Sequence, residues 1–214
     1  MHGDALLLIG LILAYGFILS RYVPERLHFA ANAVASVLVI VYGFSCGLDL
    51  TAMGLGPHLI TTGIVVATAC SLAVMVVVGL VTWLVPARYL SANSELTRSG
   101  KIAYETAVRI PLSTALSEEI LFRGVLLAVL LQYWAVVPSM LVGSIVFGLW
   151  HVMPSSRDHA RAAVLPIVLM TAIAGAFFCW LRLLSGSIAA PWLLHWTFNT
   201  SALLAIHFVH RKST

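Results

Sequence analysis

Residues 117–124 read Ser-Glu-Glu-Ile-Leu-Phe-Arg-Gly and place three charged side chains in a stretch that is mainly apolar from residue 110 to 134. Ionised groups at membrane depth are costly, about 2.5–3.5 kcal/mol each on the scale derived from insertion experiments. Three of them within six residues therefore predict a cluster that is paired and functional. Glu118, Glu119 and Arg123 are the first residues to consider for chemistry.

The composition indicates the class of protein that carries this cluster. The chain has 214 residues, of which 61% are hydrophobic and 9% charged, whereas about a quarter of a soluble domain is charged. We predict an all-α fold, a polytopic transmembrane bundle of about seven helices surrounded by a lipid bilayer. The net charge of +4 is explained by Lys and Arg in cytoplasmic loops. No basic run with interleaved aromatic residues is present, so we expect no nucleic-acid partner.

Apolar runs mark the candidate spans, each of which needs about 20 residues. They are residues 5–19, 29–48, 59–85, 110–134, 136–150, 162–184 and 188–208. The first run has no basic n-region and is interpreted as a retained helix rather than a removed signal peptide. The third is long enough to be tilted, or broken near Gly79. The second half of the connector 86–109 is either a basic amphipathic surface helix or an ordinary solvated segment.

We divide this single membrane domain into two parts by sequence. Residues 1–108 are N-terminal transmembrane helices and the cytoplasmic connector, and residues 109–214 are a catalytic core. Basic residues predict the orientation of both, because cytoplasmic loops are enriched in Lys and Arg. Ten lie on one set of connections and only Arg182 lies on the other. This bias puts the N-terminus outside and the C-terminus in the cytoplasm.

Residues four apart share a helix face, and three such pairs occur on the apolar helices. Glu119 and Arg123 have the spacing of an intrahelical ion pair, which predicts a structural role. Glu118 lies about 100° further round the helix and is left without a partner on it. An unpaired carboxylate in apolar surroundings is suited to act as a general base.

The other two pairs supply histidines. Phe147 lies one turn before His151, and His195 lies one turn before Asn199. His151 can share a water molecule with a carboxylate, and the N–H groups of His195 and Asn199 are suited to a developing oxyanion. These residues predict a hydrolytic site that activates water and needs no serine or cysteine nucleophile. We expect Phe122 and Phe147 to pack behind this site.

The three motifs together resemble those of the CPBP family, the CAAX protease and bacteriocin-processing enzymes, also called the Abi family. The family pattern EExxxR stands at residues 118–123, FxxxH at 147–151 and HxxxN at 195–199, within about residues 109–208. The resemblance implies an intramembrane endopeptidase similar to the type II CAAX prenyl endopeptidase, in the plasma membrane of a prokaryote. Its substrate would be a peptide or a membrane-associated protein.

The resemblance also implies roles for single residues. In the family, the first glutamate and the FxxxH histidine are thought to activate water, which here are Glu118 and His151. The HxxxN pair, here His195 and Asn199, would hold the oxyanion. Some family members have been labelled metalloproteases, and Glu118, His151 and His195 could ligate zinc. The chain has no HExxH motif and Asn is a poor zinc ligand, so we expect that no metal cofactor is required.

Two other classes of function stay open at this stage. A non-catalytic immunity or scaffold protein could keep the polar cluster for structure, although such a protein could lose Glu118 or Asn199, and this chain has both. A proton-coupled transporter could use Glu118 and the histidines as a relay. Transporters more often have two related halves with broken helices, and the sequence has no internal repeat. An enzyme is therefore the preferred interpretation.

Overall fold

A computed structural model describes residues 2–57, 60–84, 101–152 and 161–213. These residues form seven helical segments and no strand, so the predicted all-α fold is confirmed. The helices are α1 (His2–Tyr22), α2 (Glu25–Ser45), α3 (Ile60–Leu84), α4 (residues 102–131), α5 (Val136–Trp150), α6 (Arg161–Ser185) and α7 (Ala189–Ser213). The boundaries lie within a few residues of the apolar runs, except at the start of α4.

Helix length and hydropathy identify an integral membrane protein. Four helices of the described chain are long and apolar enough to cross a bilayer, namely Gly3–Tyr22, Glu25–Ser45, Ile60–Leu84 and Val164–Ser185. Their outward faces carry large apolar side chains such as Leu38, Val76 and Ile173, each more than 60% exposed. Exposed apolar surface of this extent suits lipid rather than water. Helix α3 continues through Gly79, so the suggested break at this glycine is wrong.

Helix α4 is a composite of α-helical and π-helical turns. The π-helical segments Glu105–Ala115 and Ile120–Leu126 flank the short α-helical segment Leu116–Glu119. In a π-helix the carbonyl of residue i accepts the N–H of residue i+5. Pro111 has no N–H, and the Thr106 carbonyl that it would leave unpaired accepts the indole N–H of Trp196 at 2.8 Å. The side chain of α7 thus completes the hydrogen bonding of α4.

The hydrogen bond from Trp196 to the Thr106 carbonyl explains why the fourth span begins earlier than the sequence predicts. The expected start was residue 110, but the helix already begins at Ile102. Trp192 stabilises the same turn by donating its indole N–H to the Pro111 carbonyl at 2.8 Å. From residue 102 onward the connector therefore belongs to α4 and is not a separate surface helix. The rest of the predicted surface helix, up to residue 100, lies outside the described residues.

The middle of α4 forms the centre of the bundle. Phe122, Val125, Leu126, Val129 and Leu130 are at most 1% exposed and pack with residues of α1, α2 and α5. A second apolar cluster joins α3, α6 and α7 and contains Ala67, Phe178, Leu181, Ala190 and Leu194. The segment that carries the two glutamates therefore lies where these two clusters adjoin.

A short polar chain fixes the N-terminal helices against α4. The Tyr15 hydroxyl of α1 donates to Asn32 Oδ1 of α2 at 2.6 Å. The Asn32 amide in turn donates to the backbone carbonyl of Ser113 at 3.0 Å and to its hydroxyl at 3.2 Å. These bonds satisfy polar groups that would otherwise be costly in an apolar interior, and they set the position of α1 and α2 relative to α4.

Arg182 connects the end of α6 to the loop between α2 and α3. Its Nη2 donates to the Ala52 carbonyl at 2.7 Å, and the side chain is packed against Gly54. Gly54 has a φ of +68°, and a Cβ there would lie 2.3 Å from Arg182 Nε. Both the left-handed backbone and the close approach of the guanidinium require glycine at this position.

We predict that Gly54→Ala destabilises the protein by about 3 kcal/mol. The left-handed conformation costs a non-glycine residue about 1–2 kcal/mol, and displacing Arg182 weakens a hydrogen bond from a charged group, worth about 1.5–3 kcal/mol. Gly47→Ala is the matched control, because Gly47 has a φ of +79° but no neighbour within 4 Å of a Cβ. Thermal unfolding in detergent should therefore show a larger loss for Gly54→Ala. Equal losses would refute the contribution of Arg182.

Candidate active site

The ion pair expected from the spacing in the fourth span is present in the buried part of α4. Arg123 Nη1 lies 3.1 Å from Glu119 Oε1, and both side chains are 0% exposed. The guanidinium lies over the ring of Phe147, with its central carbon 4.1 Å from the ring centroid. Arg123 Nη2 also donates to the Gly175 carbonyl of α6 at 3.4 Å. The charge of Arg123 is thus stabilised by a carboxylate, an aromatic face and a backbone carbonyl.

Glu119 has a second partner that the sequence does not predict. His195 Nδ1 of α7 lies 2.9 Å from the same Oε1 atom of Glu119. An ionised carboxylate can only accept, so Nδ1 carries a proton and donates it. The contact fixes the orientation of the imidazole and directs Nε2 away from Glu119. No spacing rule could have revealed this bond, because it joins residues 76 positions apart on different helices.

Glu118 faces the other nitrogen of the same imidazole. Its Oε2 lies 3.9 Å from His195 Nε2, which is beyond hydrogen-bond distance. This oxygen is buried without a hydrogen-bond partner among the described residues, and the side chain as a whole is 14% exposed. The two adjacent glutamates therefore have different surroundings. Glu119 is 0% exposed and binds Arg123 and His195 through Oε1, while its Oε2 is also buried without a hydrogen-bond partner in the described part of the chain. Glu118 is 14% exposed and borders a cavity.

His151 and Asn199 lie at the periphery of this cluster. His151 follows α5, its Nδ1 is 2.8 Å from the Phe147 carbonyl, and its Nε2 is therefore the ring atom available for other contacts. The Phe147 ring packs edge-on against His151 at 4.7 Å and against His195 at 6.3 Å between centroids. Asn199 is half-buried one turn beyond His195 on α7. Within the described chain, no hydrogen bond or ion pair joins Glu118 to His151 or Asn199.

A cavity of about 550 Å³ leads to Glu118. Its walls come from α1, α2, the connection between them, two residues of α4 and Trp150 of α5. The lining residues are Gly16, Leu19, Ser20, Arg21, Tyr22, Val23, Pro24, Glu25, His28, Asn32, Thr114, Glu118 and Trp150. The volume is within the usual range of ligand sites. The carboxylate of Glu118 is therefore accessible from a partly polar space.

Sequence reasoning did not assign the residues of α2 that line this cavity. His28 and Asn32 are four apart, so they lie on one face of α2, and both reach the same space as Glu118. Two polar residues at this spacing on an apolar helix were a signal that could have identified them. His28 lies in the first turn of α2. The space that it shares with Glu118 is formed only by the tertiary fold, which the spacing does not show.

A metal ion would need at least three protein ligands at this site. Among the residues that the structure describes, no group of three His, Cys, Asp or Glu side chains is placed to hold one. Glu118 Oε2 and His195 Nε2 are 3.9 Å apart, while His195 Nδ1 is bonded to Glu119. The set Glu118, His151 and His195 is thus not assembled as a three-ligand site.

Comparison with known families assigns the part of the chain that contains these residues. Residues 103–201 match the model described as type II CAAX prenyl endopeptidase Rce1-like. This part of the chain is similar to the CAAX protease family. The resemblance inferred from the three motifs is therefore confirmed, and Glu118, His151, His195 and Asn199 all lie inside the matched segment. Neither the curated proteins nor the solved structures contain a match to the chain.

The match also supports a general activity. It is consistent with an intramembrane protease of the CAAX type, a hydrolase with a peptide or protein substrate at the membrane. The match begins after α1, α2 and α3. Two of the helices that line the Glu118 cavity are consequently outside the matched segment.

We predict that Arg123→Ala destabilises the protein by about 3–5 kcal/mol, because it leaves the buried carboxylate of Glu119 without its cation. Glu119→Ala should destabilise it to a similar extent for the converse reason. The double variant Glu119→Gln with Arg123→Met should recover part of the loss, since it removes both charges from the interior. The measurement is the free energy of unfolding in detergent.

Arg26→Ala is the control for these variants. Arg26 is exposed, and surface substitutions usually change stability by no more than about 0.5 kcal/mol. A stability of Arg123→Ala equal to that of Arg26→Ala would contradict the importance of the buried pair.

Proposed function

We propose that this protein is an endopeptidase in which Glu118 activates a water molecule for attack on a peptide bond near the cytoplasmic membrane face. The observation that carries the proposal is the buried, unpartnered Oε2 of Glu118 beside a cavity and 3.9 Å from His195 Nε2. A carboxylate in this setting can accept a proton from water. The fixed imidazole beside it supplies a polar group at the place where charge would develop.

The proposed reaction needs only water and the protein's own side chains. Glu118, with His151 as its partner, takes a proton from water while the water oxygen bonds to the carbonyl carbon. The carbonyl oxygen becomes an oxyanion that accepts hydrogen bonds from His195 Nε2–H and the Asn199 amide. Glu118 then returns its proton to the nitrogen as the C–N bond breaks, which yields a carboxylic acid and an amine; transfer of the acid proton to the amine gives the carboxylate and ammonium forms. No cofactor is required in this scheme.

The contact with Glu119 supports the role of His195 as a donor. Donation from Nε2 requires both ring nitrogens to be protonated, since Nδ1–H is already directed at Glu119. The proposed donation therefore uses the doubly protonated imidazole. Glu119 supports it by fixing the orientation of the ring through Nδ1, 2.9 Å from Oε1, with Nε2 on the side of Glu118.

The orientation of the cavity agrees with a cytoplasmic substrate. Its outer part is formed by the α1–α2 connection, where Arg21 and Glu25 lie. The distribution of basic residues assigns this connection to the cytoplasm. A peptide, or the end of a membrane-associated protein, could thus reach Glu118 from that side. We propose the plasma membrane of a prokaryote as the location, with the N-terminus outside and the C-terminus in the cytoplasm.

We predict that Glu118→Gln abolishes cleavage and leaves the melting temperature close to that of the wild type. The amide has nearly the shape of the carboxylate but cannot accept the proton from water. The substrate can be found by comparing protein termini in cells that carry the wild type or Glu118→Ala. Cleavage is then measured with the purified variants.

Glu25→Gln is the matched control, because Glu25 lines the same cavity but lies at its outer end. Its activity should stay within a few-fold of the wild type. Full activity of Glu118→Gln would eliminate the general-base role.

Substitutions of Asn199 distinguish the proposed mechanism from a metal-dependent one. Loss of an oxyanion donor costs about 10²–10³ in kcat, so Asn199→Ala should lose that factor with little change in KM. Asn199→Asp should not rescue activity, since a carboxylate repels the developing negative charge. Chelators should leave the wild type active. Chelator-sensitive activity that zinc restores, together with an active Asn199→Asp, would establish a metalloprotease instead.

A further inference from the structure

Trp150 forms part of the wall of the cavity that contains Glu118. It directly precedes His151, is 9% exposed and lines the same space as Glu118. Two aromatic rings pack against it, Phe122 of α4 and Tyr15 of α1, both 5.7 Å away between centroids. The indole is thus packed against α4 and α1 and borders the cavity.

The indole of Trp150 packs directly against the backbone of α1 at Gly16. A Cβ at this position would lie 2.5 Å from Trp150 Cε3 and 2.7 Å from Cζ3. Real Cβ atoms do not approach so closely, so any residue other than glycine must displace the ring. With Phe122 and Tyr15 on its flanks, the ring would move into the cavity and narrow it. The absence of a side chain at Gly16 therefore determines how much space remains beside Glu118.

The part of α1 that contacts the indole is held in place by hydrogen bonds. Tyr15, the residue before Gly16, donates to Asn32 at 2.6 Å, and Asn32 donates to Ser113 of α4. The position of α1 relative to Glu118 is consequently set by hydrogen bonds rather than by apolar packing alone. A wall that is fixed in this way can discriminate by size, because packed interiors do not deform freely.

We propose that Trp150, seated on Gly16, is the specificity-determining residue that limits the size of the substrate side chain next to the scissile bond. This inference rests on the proposed function, since it takes the Glu118 cavity as the place where the peptide bond is cleaved. Small side chains fit beside the indole, and large ones are excluded by it. The residue acts through the volume that it occupies and has no part in proton transfer.

The test uses a series of peptides derived from a verified substrate, with Ala, Leu or Trp in turn on each side of the scissile bond. Gly16→Ala should lower kcat/KM for the Leu and Trp peptides by at least about tenfold, and leave the Ala peptide within about twofold. One extra or missing methylene in an apolar pocket typically changes kcat/KM by about tenfold or more. Gly10→Ala is the matched control on the same helix, because a Cβ there has no neighbour within 4 Å. It should leave kcat/KM for every peptide of the series unchanged.

Trp150→Leu provides the opposite change and covers the case in which Gly16→Ala fails to fold. It should raise kcat/KM for the Leu and Trp peptides by about tenfold, and it should suppress the effect of Gly16→Ala in the double variant. Equal changes for all peptides, whatever the side chain, would overturn the proposal. This outcome is distinct from failure of the proposed function, because cleavage by Glu118→Gln would remove the catalytic role while size selection by the wild type could still be measured.

Discussion

A single buried oxygen, Oε1 of Glu119, holds the site together. It lies 3.1 Å from Arg123 Nη1 and 2.9 Å from His195 Nδ1, so one carboxylate joins a cation on its own helix to an imidazole on α7. Arg123 extends the connection to α6 through the Gly175 carbonyl, and Phe147 of α5 covers the guanidinium. Four helices thus depend on one charge that has almost no access to water. In an apolar interior such a charge persists only when it is neutralised.

The geometry of α4 places Glu118 and Glu119 between two π-helical segments. Wider turns leave backbone groups that must be satisfied within the protein, because lipid offers no hydrogen-bond partner. Trp196 supplies the N–H that Pro111 lacks, and Trp192 and Asn32 donate to nearby carbonyls. π-helical turns are frequent at functional sites. Here they are stabilised from α2 and α7, so the segment that carries Glu118 and Glu119 is positioned by residues far from it in sequence.

Features that depend on local spacing or composition could be predicted from the sequence. Hydropathy identified the helices, and the four-residue spacing identified the pair of Glu119 and Arg123. The bond from His195 to Glu119 could not be predicted, since the two residues share no local pattern. The start of α4 at Ile102 depends on tryptophans of another helix, which hydropathy does not include. The cavity wall formed by Gly16 and Trp150 exists only after α1 packs against α5, and a glycine in an apolar helix carries no signal of such a contact.

The family match covers residues 103–201, yet part of the cavity around Glu118 is formed by α1 and α2. The cavity beside Glu118 is therefore built jointly by the matched segment, which contributes Thr114, Glu118 and Trp150, and by α1 and α2. The first two helices could diverge during evolution without disturbing the charged cluster, since Tyr15, Asn32 and Gly16 contact it only indirectly. Substitutions in α1 or α2 would therefore alter one part of the cavity wall and leave the charged cluster in place. The wall formed by Trp150 would stay with the core, so the two parts of the chain shape the same space independently.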